Sequence, residues 1–287
     1  MLLSVVEYEH GNDNSYSDYS IVAVCIYQRP LRAAVNIRWV PRYEKVRRLI
    51  WFSCGAASAV AAKLALTQYG TELCKVVYCD TIKTEHPDNM RFFLDVEQWL
   101  NIPITVINSL KYSTIDDVFE KTRYMSGIRG ARCTTEMKKI PREQFAQVDD
   151  IHIFGYTSDE KKRAHNFEER NQALFVEWIL IDNNISKQKC LDMLTEAHIA
   201  LPLMYSLGFD HNNCLGCVKA TSAGYWNRTR KLFPEVFKRR SEQSRHLGVR
   251  LAYLKGRRIF LDELPDDAYA PDDDIECGPV CQQGEEV

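Results

Sequence analysis

Between Leu49 and Thr157, short apolar runs alternate with longer stretches whose apolar residues return at helical spacing. "LIWFS" reads as a buried strand, and "SAVAAKLALTQYG" after it as a helix stopped at Gly70. "CKVVYCD" is the next strand. In "HPDNMRFFLDVEQWLN" the residues Phe92, Phe93, Val96, Trp99 and Leu100 share one face of a helix with Pro87 near its first turn. "PITVIN", then "STIDDVFEKTRYM" with Ser113 or Thr114 as its cap, then "DIHIFGYT" continue the rhythm as strand, helix and strand. This alternation predicts an α/β fold with a doubly wound parallel sheet. In such sheets ligands gather at the carboxyl ends of the strands. Ser53 to Ser58, Asp80 to Lys83 and Gly155 to Arg163 are therefore expected to face one crevice.

Residues 1–45 carry a different pattern. A polar segment, "GNDNSYSDYS", precedes two alternating runs, "IVAVCIY" and "AAVNIRWV", which read as a hairpin on the edge of the main domain or as an N-terminal extension. The expected division is 1–45, then a nucleotide-binding α/β domain over 46–200, then a cysteine-rich, helical C-terminal region over 201–287.

A chain of 287 residues can bury one sizeable core with a smaller appendage. Its 45% hydrophobic and 26% charged content is that of an ordinary globular protein, and a net charge of -2 argues against non-specific coating of nucleic acid. No apolar run approaches the ~18 residues of a spanning helix. "MLLSVVEYEH" turns acidic too early for a secretory signal, so a cytoplasmic location and no membrane partner are expected. Ten cysteines in such a setting point to metal or redox chemistry rather than a disulfide framework. Cys25, Cys74 and Cys190 stand alone among apolar residues and read as small core hydrophobes. Cys133 lies in a cationic stretch, Cys214 and Cys217 form a CxxC, and Cys277 and Cys281 form a CxxxC.

The turn "FSCGAAS" joins a strand to a helix through small residues. Such a turn exposes main-chain N–H groups and the positive helix end, which favours a bound anion. The Walker lysine is absent, so main-chain dipoles would do the holding. Taken alone, a tight β–α turn explains the same residues. From Arg228 to Arg258 cations are opposed only by Glu235 and Glu242, and aromatics stand among them. This stretch is a candidate contact for nucleic acid, for an acidic protein or for the acidic tail; a solvated amphipathic helix is the plain alternative.

Taken in order, "FSCGAAS", "VYCDTIKTEHPDNMRFF", "ARCTTEMKKIP", "FGYTSDEKKRAHN", "NNCLGCVKA" and "IECGPVCQ" resemble the adenylyl-sulfate and phosphoadenylyl-sulfate reductases of the PP-loop, adenine nucleotide alpha hydrolase-like superfamily. Phage-encoded proteins share this pattern. The resemblance implies that Ser53, Gly55, Ser58, Asp80, Thr81, Lys139 and Lys161 bind an adenine nucleotide. It further implies that Lys138 and Arg163 steady the sulfate oxygens and that Cys277, in the Glu-Cys-Gly tail, is the nucleophile. Attack by its thiolate on the sulfur of a bound sulfonucleotide would give a protein S-sulfonate, which a thioredoxin-like thiol reductant reduces. A [4Fe–4S] cluster is implied on Cys133, Cys214 and Cys217. Arg132 stands where the family's first cysteine would be, so Cys281 is the candidate fourth ligand. A three-cysteine cluster, or zinc on Cys214, Cys217, Cys277 and Cys281, stays open.

Besides Arg132, Ile82 departs from the family by replacing a glycine, and Tyr156 and Thr157 by breaking the Gly-x-Arg run. Ala57 does not depart: the reductases too lack the acid that ATP-cleaving PP-loop enzymes carry at that place. Two further readings stand beside the reductase: a sulfurtransferase or nucleotide-activating enzyme working on nucleic acid from ATP, as in DNA phosphorothioation, and a non-catalytic nucleotide-binding module stapled by metal.

Overall fold

The computed structural model describes residues 7–8, 19–25, 35–41, 46–127 and 130–271. Strands β1 (Glu7–Tyr8), β2 (Tyr19–Cys25) and β3 (Val35–Pro41) pair antiparallel. β2 and β3 make the hairpin their alternation predicts, within a sheet separate from the main one.

The main sheet has five parallel strands: β4 (Arg48–Phe52), β5 (Cys74–Cys79), β6 (Thr105–Ile107), β9 (Ile151–Phe154) and β10 (Phe175–Glu177), in the order β10-β9-β4-β5-β6. Helices cover both faces, and the side-chain period of two sorts each strand between them. Ile50 and Phe52 face α1 (Ala56–Tyr69), α2 (Asp88–Leu100), α7 (Ile179–Asp182) and α8 (Lys187–Glu196); Leu49 and Trp51 face α5 (Ile140–Phe145) and α6 (Lys161–Arg170). α1 is the innermost helix. Ala59, Val60, Ala61 and Ala62 are wholly buried, and their short side chains let it lie close to the sheet.

The chain lays β4, β5 and β6 outward in one direction, then crosses back to place β9 and β10 on the other side of β4. Loops leaving β4 and β9 therefore diverge, and a crevice opens between them at the strand-order reversal.

A second core gathers α3 (Ile115–Thr122), the hairpin β7 (Ser126–Gly127) and β8 (Gly130–Ala131), the short helices α4 (Arg132–Thr134) and α9 (Leu203–Ser206), and the C-terminal elements α10 (Ala223–Leu232), α11 (Pro234–Leu247), β11 (Ala252–Leu254) and β12 (Arg257–Ile259). Trp226, wholly buried, sits among Phe209, Leu251 and Leu261. Ile115, Val118, Phe119, Met125, Ala131 and Met137, upstream of position 200, belong to this core as well. No helix among the described residues is long and apolar enough to cross a membrane.

Candidate functional site

The loop after β4 is held in shape from within. Ser58 is buried; its Oγ accepts from the Ser53 N–H at 3.0 Å, donates to the Gly55 carbonyl at 3.0 Å and lies 3.1 Å from the Ser53 Oγ. Cys54 adopts φ +60°, a conformation uncommon for a residue other than glycine. Its carbonyl accepts from Asn212 Nδ2 at 2.7 Å, and its Sγ donates to the Asn89 carbonyl at 3.4 Å. Gly55 then opens α1, and among the described residues no side chain caps this end. The first-turn N–H groups and the positive end of the helix dipole thus serve an anion by default.

Gly155 makes the close fit possible. A Cβ there would stand 2.7 Å from the Ser58 nitrogen and 2.8 Å from its Cα, so only a glycine lets the exit of β9 pass the first turn of α1.

Facing this loop is a helical run over 132–145: α4, a π-helical turn over Thr135–Lys139, and α5. A π-turn shifts the register of the residues after it and is frequent at functional sites. Here it presents Lys138 inward, buried and lining the crevice, while Lys139 turns outward toward Glu143 at 3.9 Å. Glu85 lines the crevice as well. Its carboxylate accepts from Thr81 Oγ1 at 2.5 Å and Asn89 Nδ2 at 2.7 Å, and its burial raises its pKa against the opposing pull of Lys138 and those hydrogen bonds.

The third wall is the loop before α10. Leu215 N–H donates to the Thr84 carbonyl at 2.9 Å, and Thr84 Oγ1 donates to Cys214 Sγ at 3.4 Å, bringing Cys214 to the crevice. Cys217 is tied by its N–H to the Tyr225 hydroxyl at 2.7 Å. Between the two cysteines Gly216, at φ +64°, gives its carbonyl to the wholly buried Arg240 at 2.9 Å, and Arg240 pairs with Asp116 of α3.

Of the residues expected to act together, Ser53, Gly55, Ser58, Lys138 and Cys214 line this one crevice. Others stand apart. Asp80 accepts from the Ile82 N–H at 3.1 Å and shapes the turn at that residue; Thr81 is buried against Glu85. Lys161 is exposed on α6. Arg163 pairs with Glu160, and its guanidinium lies 4.5 Å over the ring of Tyr156, so it backs a crevice-lining residue without lining the crevice itself.

Cys133 and Cys217 lie against the second core with Cys214, and Arg132 pairs with the buried Glu136 at 2.7 Å. Cys277 and Cys281 lie outside the described residues. Among the described residues no group of three or more His, Cys, Asp or Glu side chains is arranged to hold a metal ion. Cys74 and Cys190 are buried, as their surroundings predict. In the basic stretch, Arg230 pairs with Asp266, Arg239 and Arg240 with Asp116, and Arg245 with Asp262 and Glu263, so part of its charge is met within the chain.

No protein-family model matches the sequence, and no curated protein matches it. What the crevice can do rests on its own groups. Sequence reasoning passed over two of them, Glu85 and Asn212. Both sit inside stretches it singled out, "DTIKTEHP" and "NNCLGC", beside residues that drew attention by type.

Proposed function

We propose that the crevice binds an adenine sulfonucleotide and that the protein is a sulfonucleotide reductase-like enzyme, acting on adenylyl sulfate or its 3'-phosphorylated form. One observation carries the reading: the uncapped end of α1 and the buried Lys138 ammonium meet in a single crevice at the strand-order reversal. Two positive sources, one a fixed dipole and one a charge out of water, suit a ligand with two anionic groups. Ala57, in place of an acid beside Ser58, supports use of an already activated nucleotide over cleavage of ATP.

In the proposed reaction the Cys277 thiolate attacks the sulfuryl sulfur. The S–O bond to phosphate breaks, its electron pair leaves with the nucleoside phosphate, and an S-sulfonate forms on the cysteine. A second thiolate, from a thioredoxin-like reductant, attacks the cysteine sulfur and releases sulfite with formation of a disulfide. Lys138 offsets the approach of anion to anion, and Arg163 steadies Tyr156. A [4Fe–4S] cluster, or zinc, belongs to the same proposal. The described Cys133, Cys214 and Cys217 do not make a metal-holding group by themselves, so loading needs Cys281 or another ligand to join them. Neither thiolate attack passes through the metal.

The test is sulfite release from adenylyl sulfate and its 3'-phosphorylated form with a dithiol present. Release that disappears in Cys277→Ser is the expected result. Pyrophosphate release from ATP without sulfite would replace this reading by the sulfurtransferase, and inertness in both assays by the binding module. Iron, sulfide and zinc analysis of anaerobically purified protein decides the metal.

A further inference from the structure

Inorganic sulfate has no hydrogen to donate at neutral pH, so a crevice made only for an oxyanion needs no buried acceptor. This one has an acceptor. Asn212 lines the crevice at 7% exposure; its Nδ2 is committed to the Cys54 carbonyl, and its Oδ1 is buried with no hydrogen-bond partner among the described residues. Oδ1 and Nδ2 share one planar carbon, so the bond to Cys54 fixes the direction of the oxygen as well. The neighbouring carboxylate, Glu85, is already engaged by Thr81 and Asn89 and does not call for a donor in the same way.

We propose that Asn212 is a specificity-determining residue, whose Oδ1 accepts an N–H or O–H of the bound ligand. The ligand is then bifunctional: an anionic group for α1 and Lys138, and a donor for Asn212. On the nucleotide reading, on which this inference rests, the donor is the exocyclic amine of adenine or a ribose hydroxyl. A site built around a ligand donor rejects analogues that lack it, because the buried oxygen is then left unmatched.

The experiment is calorimetric titration of the full chain with AMP, IMP, 2'-deoxy-AMP, 3'-deoxy-AMP and inorganic sulfate, for the wild type and Asn212→Ala. One of the three analogues is expected to bind the wild type about tenfold or more weakly than AMP. IMP in that role assigns the base amine; a deoxy analogue assigns the ribose. Asn212→Ala should bind AMP and that analogue alike, with sulfate affinity kept within about twofold of wild type.

The inference is overturned if all three analogues match AMP in the wild type, a result that needs no variant to fold, or if Asn212→Ala keeps the discrimination. A parallel loss of sulfate binding in Asn212→Ala also overturns it, since Asn212 would then act only by bracing Cys54. Sulfate binding without any AMP binding would remove the nucleotide reading and this inference together, a pattern distinct from the others.

Discussion

On its sheet side the crevice is bounded by main chain: the uncapped turn of α1, the small residues around Gly55 and the close pass of Gly155. On its C-terminal side it is bounded by a loop held through long-range links, Asn212 to Cys54, Leu215 to Thr84 and Gly216 to Arg240. The first wall obeys a local rule, that a parallel strand entering a helix leaves N–H groups at the turn. The second depends on partners far away in sequence. Loss of one such partner should therefore loosen the C-terminal wall while the sheet keeps its shape.

The sharpest way to break this comparison is Arg240→Leu. It takes from the half-buried Asp116 one of its two arginines, leaving Arg239, and frees the cysteine turn; breaking a fully buried pair costs ~3–5 kcal/mol, and this one is expected at the lower end, about 3 kcal/mol. Denaturant unfolding should show that loss, with cooperativity split between the two cores. Unchanged stability would mean that the turn stands without Arg240. Next in size is Lys138→Met, expected to weaken sulfate and AMP binding by about 10–100-fold, the worth of a charge-assisted hydrogen bond. Lys139→Met, on the outward side of the π-turn, should change it less than about twofold. Equal effects of the two would contradict the crevice geometry.

Gly155→Ala forces backbone against backbone on the sheet side, where neither partner can yield, and is expected to cost about 1–3 kcal/mol in thermal or denaturant unfolding. The smallest effect is one of pH. His152 is buried between Trp51 and Phe154 and accepts from the Trp51 indole N–H through Nδ1 at 3.0 Å. Burial, helped by the Arg142 charge, pushes its pKa down from 6.5 to about 4. The unfolded chain takes up the proton first. Stability is complete above about pH 6.5 and drains away as the pH falls toward 4, with ~1 kcal/mol gone by pH 5.5. Unfolding curves at pH 7.5 and 5.5, for the wild type and His152→Gln, measure it; the variant should lose this part of the slope.

The same contrast explains what could be read from the sequence. "LIWFS", "CKVVYCD" and "DIHIFGYT" become β4, β5 and β9 because strands buried on both faces must be apolar throughout; Gly70 ends α1 as its position predicts, with φ +80°. β10 escaped notice: its three residues, Phe175–Glu177, are too few for any period. Convergence of Ser53 and Lys138 was legible from strand order and motif. Inward Lys138 and outward Lys139 were not, since adjacent lysines look alike until a π-turn orients them. Arg163 carried the right chemistry but spends it on Glu160 and Tyr156, and Asn212 drew no notice because its importance lies in one unmatched oxygen.

The widened turn over Thr135–Lys139 has an evolutionary corollary. Four residues at ordinary helical winding turn through about the same angle as the five wound here, so removing a single codon would leave the helix downstream in place while taking one position out of the crevice wall. Such a deletion would separate the part played by the extra residue from that of any one side chain, and homologues differing by it would be natural experiments in anion affinity.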